Sequence, residues 1–183
     1  DVQTSNGVVD IACKNETEAT AVTRQVLSYF QGNTEGWSAP DARRLRHLIP
    51  ENRLSAYDMR AVINALSDTG SVTEFRPNYG RGLITALIRI EGHPFGLIAN
   101  DPKHLGGAID GDGGEKGGRF LQLCDAYGLP IVSLCDTPGF MVGPESEKTA
   151  AVRRGSRLIV ASANLTVPLF TIVVRKGYGL GAQ

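Results

Sequence analysis

Two unbroken apolar runs constrain this chain most: Pro130-Ile-Val-Ser-Leu-Cys135 and Pro168-Leu-Phe-Thr-Ile-Val-Val174. Neither alternates apolar with polar residues, so each is predicted to be a buried strand covered on both faces. Segment 146–163 between them has helical spacing. Upstream, Leu83-Ile-Thr-Ala-Leu-Ile-Arg-Ile-Glu and Phe95-Gly-Leu-Ile-Ala flank Gly92-His-Pro and read as two strands joined by a tight turn. A helix is predicted over about 115–127, containing Phe120, Leu121 and Cys124. Strand, helix, strand, helix, strand makes an α/β chain with crossover connections.

The N-terminal part is built differently. Asn15 followed by Glu18 is a capping-box-like start, and Ala19, Val22, Val26 and Tyr29 recur at helical spacing. The helix is predicted over 15–31, and Gly32-Asn33 ends it. Residues 32–54 have no period and read as a linker between two structural units. Its Arg43, Arg44 and Arg46 read as a solvated basic stretch. A second helix is expected from Asp58, with Val62, Ile63 and Leu66 on one face and Gly70 as its stop. Val72 to Phe75 suits a short strand.

Length and charge narrow the function classes. The 183 residues suit one ordinary domain. Lys plus Arg total 19 and Asp plus Glu total 19, so the formal charge is zero. That argues against binding nucleic acid by phosphate neutralisation and against an electrostatic membrane anchor. No stretch approaches the apolar length of a membrane-spanning helix. Cys13, Cys124 and Cys135 form no C-x-x-C pair, and the last two sit in apolar runs, which suits buried free thiols in a reducing compartment. His47, His93 and His104 do not cluster with them, so no metal is expected. The chain opens on Asp1 without Met and stops at Gln183 just after a glycine-rich turn, so both ends read as cut.

Glycine is where the composition points. Of 22 glycines, 14 follow position 100, which suggests backbone brought close to another backbone or to a ligand. Asp136-Thr-Pro-Gly139 mimics a GTPase metal motif, but no G-x-x-x-x-G-K-[ST] accompanies it, so a sharp exit from a strand explains it better. Gly111-Asp-Gly-Gly-Glu-Lys-Gly-Gly118 has the wrong spacing for a phosphate loop. Asp110 and Asp112 read as turn or cap residues of the helix near 115. No G-x-S-x-G is present, and no histidine stands beside a nucleophile; His104 is a loop histidine near the glycines. What remains is main chain. Leu105-Gly106-Gly107-Ala-Ile and Tyr178-Gly179-Leu-Gly181-Ala182-Gln each lead from a strand toward a helix, and free N–H groups there can receive a developing oxyanion.

Longer strings carry a resemblance. Leu129-Pro-Ile-Val-Ser-Leu-Cys-Asp-Thr-Pro-Gly-Phe-Met-Val-Gly-Pro-Glu145, Arg153-Arg-Gly-Ser-Arg157 and Thr166 through Gln183 resemble the carboxyltransferase (beta) subunit of biotin-dependent acyl-CoA carboxylases, of the acetyl-/propionyl-CoA carboxylase type. Tyr57-Asp-Met-Arg60 and Gly96-Leu-Ile-Ala-Asn-Asp-Pro102 match the same family in the same order. The resemblance runs over residues 1–183. It implies a crotonase-like (ClpP/crotonase) fold of stacked ββα units in two related subdomains. Residues 1–31 would be the tail of the first, 32–54 the linker, and 55–183 most of the second, biotin-side subdomain.

The resemblance also implies a chemistry. Carboxybiotin on a carrier domain loses carbon dioxide, its ureido enolate takes the α-proton of an acyl-CoA, and the thioester enolate attacks the carbon dioxide. No side-chain base is needed and no metal is implied. By position, Gly181 and Ala182 match the pair whose N–H groups hold the biotin ureido oxygen, with Gly179, Gly106 and Gly107 as neighbours. The string departs from the commoner family pattern by placing Leu180 between Gly179 and Gly181. The implied partners are further copies in a homo-oligomer, the biotin carboxyl carrier and biotin carboxylase, with a role in fatty acid metabolism. The implied location is the cytoplasm, or the mitochondrial matrix in a eukaryote. Two other readings stay open: a biotin-independent crotonase-fold decarboxylase or hydratase, and a non-catalytic assembly fragment.

Overall fold

The computed structural model describes residues 2–182. Five strands form one sheet in spatial order β1-β2-β3-β4-β5: β1 (Thr73–Phe75), β2 (Leu83–Ile90), β3 (His93–Asn100), β4 (Ile131–Thr137) and β5 (Leu169–Gly177). Pairs β1–β2 and β2–β3 are antiparallel; β3–β4 and β4–β5 are parallel. The β2–β3 turn has positive φ at both Glu91 (51°) and Gly92 (79°), the backbone that matches the twist of a two-residue hairpin. A parallel neighbour cannot be reached by such a turn, so crossover helices make the other two joins.

Among the described residues seven α-helices accompany the sheet: α1 (Val2–Ser5), α2 (Glu16–Tyr29), α3 (Leu45–Leu48), α4 (Met59–Leu66), α5 (Gly111–Ala126), α6 (Pro144–Glu147) and α7 (Ala151–Ala163). Helix α2 starts as its sequence predicts: the Asn15 side chain accepts from Glu18 N–H at 2.9 Å, and the Glu18 carboxylate accepts from Lys14 N–H at 2.6 Å. It is anchored at its end by the fully buried Tyr29, whose hydroxyl donates to Ser71 O. Within 32–54, Leu45, Leu48 and Ile49 pack on the core cluster that contains Met59, Ile63, Ile84 and Leu97. A second cluster, with Leu87, Phe120, Leu121 and Ile131, holds the α5 side. Burial of each such side chain stabilises by roughly 1.5–3 kcal/mol. Cys124 and Cys135 are buried free thiols, and burial pushes Cys124 up to about 12.

Three boundaries differ from the sequence reading. Helix α5 begins at Gly111, not near 115, with the Asp110 carboxylate capping Gly113 N–H at 2.7 Å. Its glycines are a packing face. A Cβ on Gly114 would stand 2.7 Å from Gly155 Cα of α7, and one on Gly118 would stand 2.8 Å from Arg157 O. Helix α7 begins at Ala151, because Ala150 takes φ 55° and breaks the helix expected from 146. Strand β5 runs on to Gly177 and is an edge strand: Phe170 is 60% exposed and Val173 57%. Its apolar run anticipates covered faces, but among the described residues no strand lies beyond it.

No helix among the described residues is long and apolar enough to cross a membrane. Nor does any group of three or more His, Cys, Asp or Glu among them stand ready to hold a metal ion.

Candidate active site

Because β3, β4 and β5 run parallel, their exits leave the sheet at one edge, the place where open α/β sheets put their ligands. Strand β3 is followed by the turn Leu105–Gly107, β4 by Pro138-Gly139-Phe140, and β5 by the turn Leu180–Ala182. Main-chain bonds stitch these exits together: Ile109 N–H to Gly139 O at 3.0 Å, Met141 N–H to Ile109 O at 2.8 Å, and Tyr178 N–H to Thr137 O at 3.2 Å.

Glycine is required where the turns meet. Gly107 has φ 90°, and a Cβ there would stand 2.2 Å from Asp136 O, so any side chain would lift the first turn off β4. A Cβ on Gly181 would meet Gly139 Cα at 3.3 Å and Ile109 Cδ1 at 3.2 Å. Gly106 and Gly179, with φ of 62° and 64°, meet nothing closer than 4.0 Å on that side. Ala182 lies beside Gly177, and its N–H donates to Gly179 O at 3.2 Å, closing the last turn. The five glycine and alanine positions singled out in the sequence are therefore gathered around the end of β4. His104 sits in the first turn, its carbonyl accepting from Gly107 N–H at 2.9 Å.

The group that fixes this arrangement is Asp136, fully buried at the end of β4. Its Oδ2 accepts from Tyr57 O–H at 2.8 Å and from Arg175 Nε at 2.9 Å. Its own N–H donates to Asn100 Oδ1 at 3.1 Å, tying the ends of β3 and β4. The Arg175 guanidinium lies over the Tyr57 ring at 4.5 Å and donates to Ser55 O at 2.7 Å. Burial, with the hydrogen bond to Asp136 next, holds the Tyr57 phenol far above its ordinary range. Lys176 Nζ stands 3.8 Å from Asp136 Oδ1, which has no hydrogen-bond partner, and donates to Gly106 O at 2.7 Å. Lys176 thus links the buried carboxylate to the first glycine turn.

In the sequence Asp136 reads as a strand exit, and Tyr57, Arg175 and Lys176 stand outside the predicted site. One signal was available: an acidic residue ends one apolar strand and two cations end the next. Leu180 is the residue by which the string departs from the family pattern. It borders a cavity of about 70 Å³ shared with Cys135, Thr171 and Gly181, and an apolar hollow of about 200 Å³ shared with Phe140 and Val152.

The profile of the carboxyl transferase domain matches residues 1–183. The chain belongs to that family. A solved single-chain, multi-domain long-chain acyl-CoA carboxylase superposes on this carboxyl transferase domain with a TM-score of 0.97 at 57% identity, over 99% of this chain and 19% of that one. The 12S transcarboxylase, solved as a hexamer assembly with methylmalonyl-CoA bound, matches with a TM-score of 0.90 at 28% identity, over 99% of this chain and 37% of that one. Among curated relatives, the propionyl-CoA carboxylase carboxyltransferase subunit of Haloferax mediterranei is 33% identical over 184 residues, 96% of this chain and 36% of that protein. The carboxyl transferase domain described here thus spans about a third of that relative's length. Its fold is crotonase-like, as the resemblance implied, with β2, β3 and α5 as a ββα unit.

Proposed function

We propose that this chain forms the biotin-facing half of a site that transfers a carboxyl group from carboxybiotin to the α carbon of an acyl-CoA. The convergence of two glycine turns on the end of β4 carries the reading. Gly106 and Gly179 leave main chain open to a flat polar group, while Gly107 and Gly181 let the turns close on Asp136 and Gly139. That cradle fits a ureido ring, which presents one carbonyl oxygen and little bulk. Carboxybiotin bound there would supply the transferable carboxyl group.

The chain's own residues do the rest. The N–H groups of Gly181 and Ala182 donate to the ureido oxygen as negative charge develops on it. The Ala182 N–H bond to Gly179 O, at 3.2 Å, is at the long end of the ordinary range, so the donor can be shared with a second acceptor. Lys176 holds the Gly106 carbonyl turned inward toward itself, which orients the first turn. Residues 1–31 belong in this reading to the preceding subdomain, 32–54 to the linker and 55–183 to the biotin-side subdomain. The acyl-CoA half comes from another copy in a homo-oligomer, and the reaction needs a biotin carrier and biotin carboxylase.

The test uses the complete subunit with malonyl-CoA or methylmalonyl-CoA and free biotin. Release of the decarboxylated thioester that requires biotin is expected. Release without biotin would replace carboxyl transfer by a biotin-independent decarboxylase, and no release with either thioester would overturn the reading.

A further inference from the structure

A second cavity, of about 340 Å³, lies between α2, the β1–β2 pair and α5, and none of the glycine-turn residues borders it. Two cations line it from buried positions: Lys116 is 2% exposed and Arg76 6%. Lys116 Nζ donates to Arg76 O at 2.9 Å. Arg76 Nε lies 2.8 Å from Asp10 Oδ1, a carboxylate half-exposed at the cavity's edge. Arg76 Nη2 is buried and has no hydrogen-bond partner. A guanidinium N–H removed from water and left unmatched is costly, and a site that retains one calls for an acceptor. The rings of Phe30, Phe75 and Phe120 supply the apolar wall.

We infer that this cavity binds a small carboxylate with an aromatic or branched apolar body, the carboxylate accepting from Arg76 Nη2 and the body lying against the three phenylalanines. The inference stands apart from the carboxyl-transfer reading and does not depend on it. The volume suffices, because an apolar cavity of about 150 Å³ already takes up benzene. The chemistry matches, because a planar guanidinium pairs with a carboxylate better than with any neutral acceptor. Burial brings the Lys116 ammonium down to about 8, and an anion beside it would favour its charged form.

Fluorine NMR titration of the complete subunit with para-fluorobenzoate and with the neutral para-fluorobenzamide tests this. Saturable binding of the acid is expected, with the amide at least tenfold weaker. Arg76 has φ 53°, a backbone that Asn tolerates, so Arg76→Asn removes the cation without adding backbone strain and should weaken the acid at least tenfold. Arg76→Lys should retain part of the affinity. Equal binding of acid and amide to the wild-type subunit, which needs no variant to fold, would overturn the inference. So would unchanged affinity in folded Arg76→Asn, or no saturable binding at all.

Discussion

Asp136 Oδ2 and Arg175 Nε meet at 2.9 Å across a break in register between two parallel strands. Cys135 pairs with Val173 and Thr137 with Gly177, so the single residue Asp136 stands opposite three residues of β5. That bulge turns both Arg175 and Lys176 toward one carboxylate, as bulges near active sites re-aim side chains. With the Asp136 and Arg175 side chains 0% and 6% exposed, the pair is buried and must stay paired.

Asp136→Ala should therefore destabilise the complete subunit by about 3–5 kcal/mol, since it strands the Arg175 guanidinium away from water. Chemical denaturation measures this. The double variant Asp136→Leu with Arg175→Met should recover part of the loss, because no unpaired charge remains.

On the carboxyl-transfer proposal Lys176 acts as a positioning residue, with a smaller structural stake than Asp136. Lys176→Met frees Gly106 O, and as Lys176 is partly solvated the stability change should stay within about 1 kcal/mol. The kcat/KM for free biotin should nevertheless fall by about ten- to a hundredfold through misplacement of the turn. A melting curve beside biotin saturation kinetics separates the two effects.

Ala182→Pro deletes the N–H at the last turn. If that donor meets the oxyanion, turnover should fall by roughly 10²–10³ with KM for the acyl-CoA little changed. Steady-state kinetics of the folded variant would show it, and unchanged turnover would remove Ala182 from the site.

Gly114→Ala places a methyl 2.7 Å from Gly155 Cα and must push α5 from α7. A loss of about 1–3 kcal/mol is expected from this overpacking, read as a lower denaturation midpoint.

Lys116 makes stability depend on pH. Burial lowers its folded value from 10.5 to about 8, so between these values the unfolded chain binds more protons than the folded one. Stability from this group is lowest below pH 8 and rises as pH climbs toward 10.5. Lys116→Met should flatten that part of the stability profile, measured by denaturation at a series of pH values.

The strands were legible because their apolar runs are long, and the α2 cap because Asn15 and Glu18 are near in sequence. Gly111, Gly113 and Gly114 of α5 fall before the helix that the sequence predicts from about 115. A glycine that admits a neighbouring helix and one that opens a turn look alike in sequence, and only the presence of Gly155 opposite Gly114 tells them apart. The edge position of β5 was hidden for a similar reason: apolar residues reveal a tendency to be covered, not what covers them.

By itself the sequence determined the α/β order of elements, the parallel joins that their separation demands, and the family, through strings running from Tyr57 to Gln183. Those features depend on residues close along the chain or on long unbroken motifs. Only the tertiary structure decided that Tyr57, Arg175 and Lys176 gather on the buried Asp136 beneath the glycine turns. The reason is geometric: their contacts join residues from 39 to 118 positions apart, and a register shift in β5, which no local propensity encodes, brings Arg175 and Lys176 to bear.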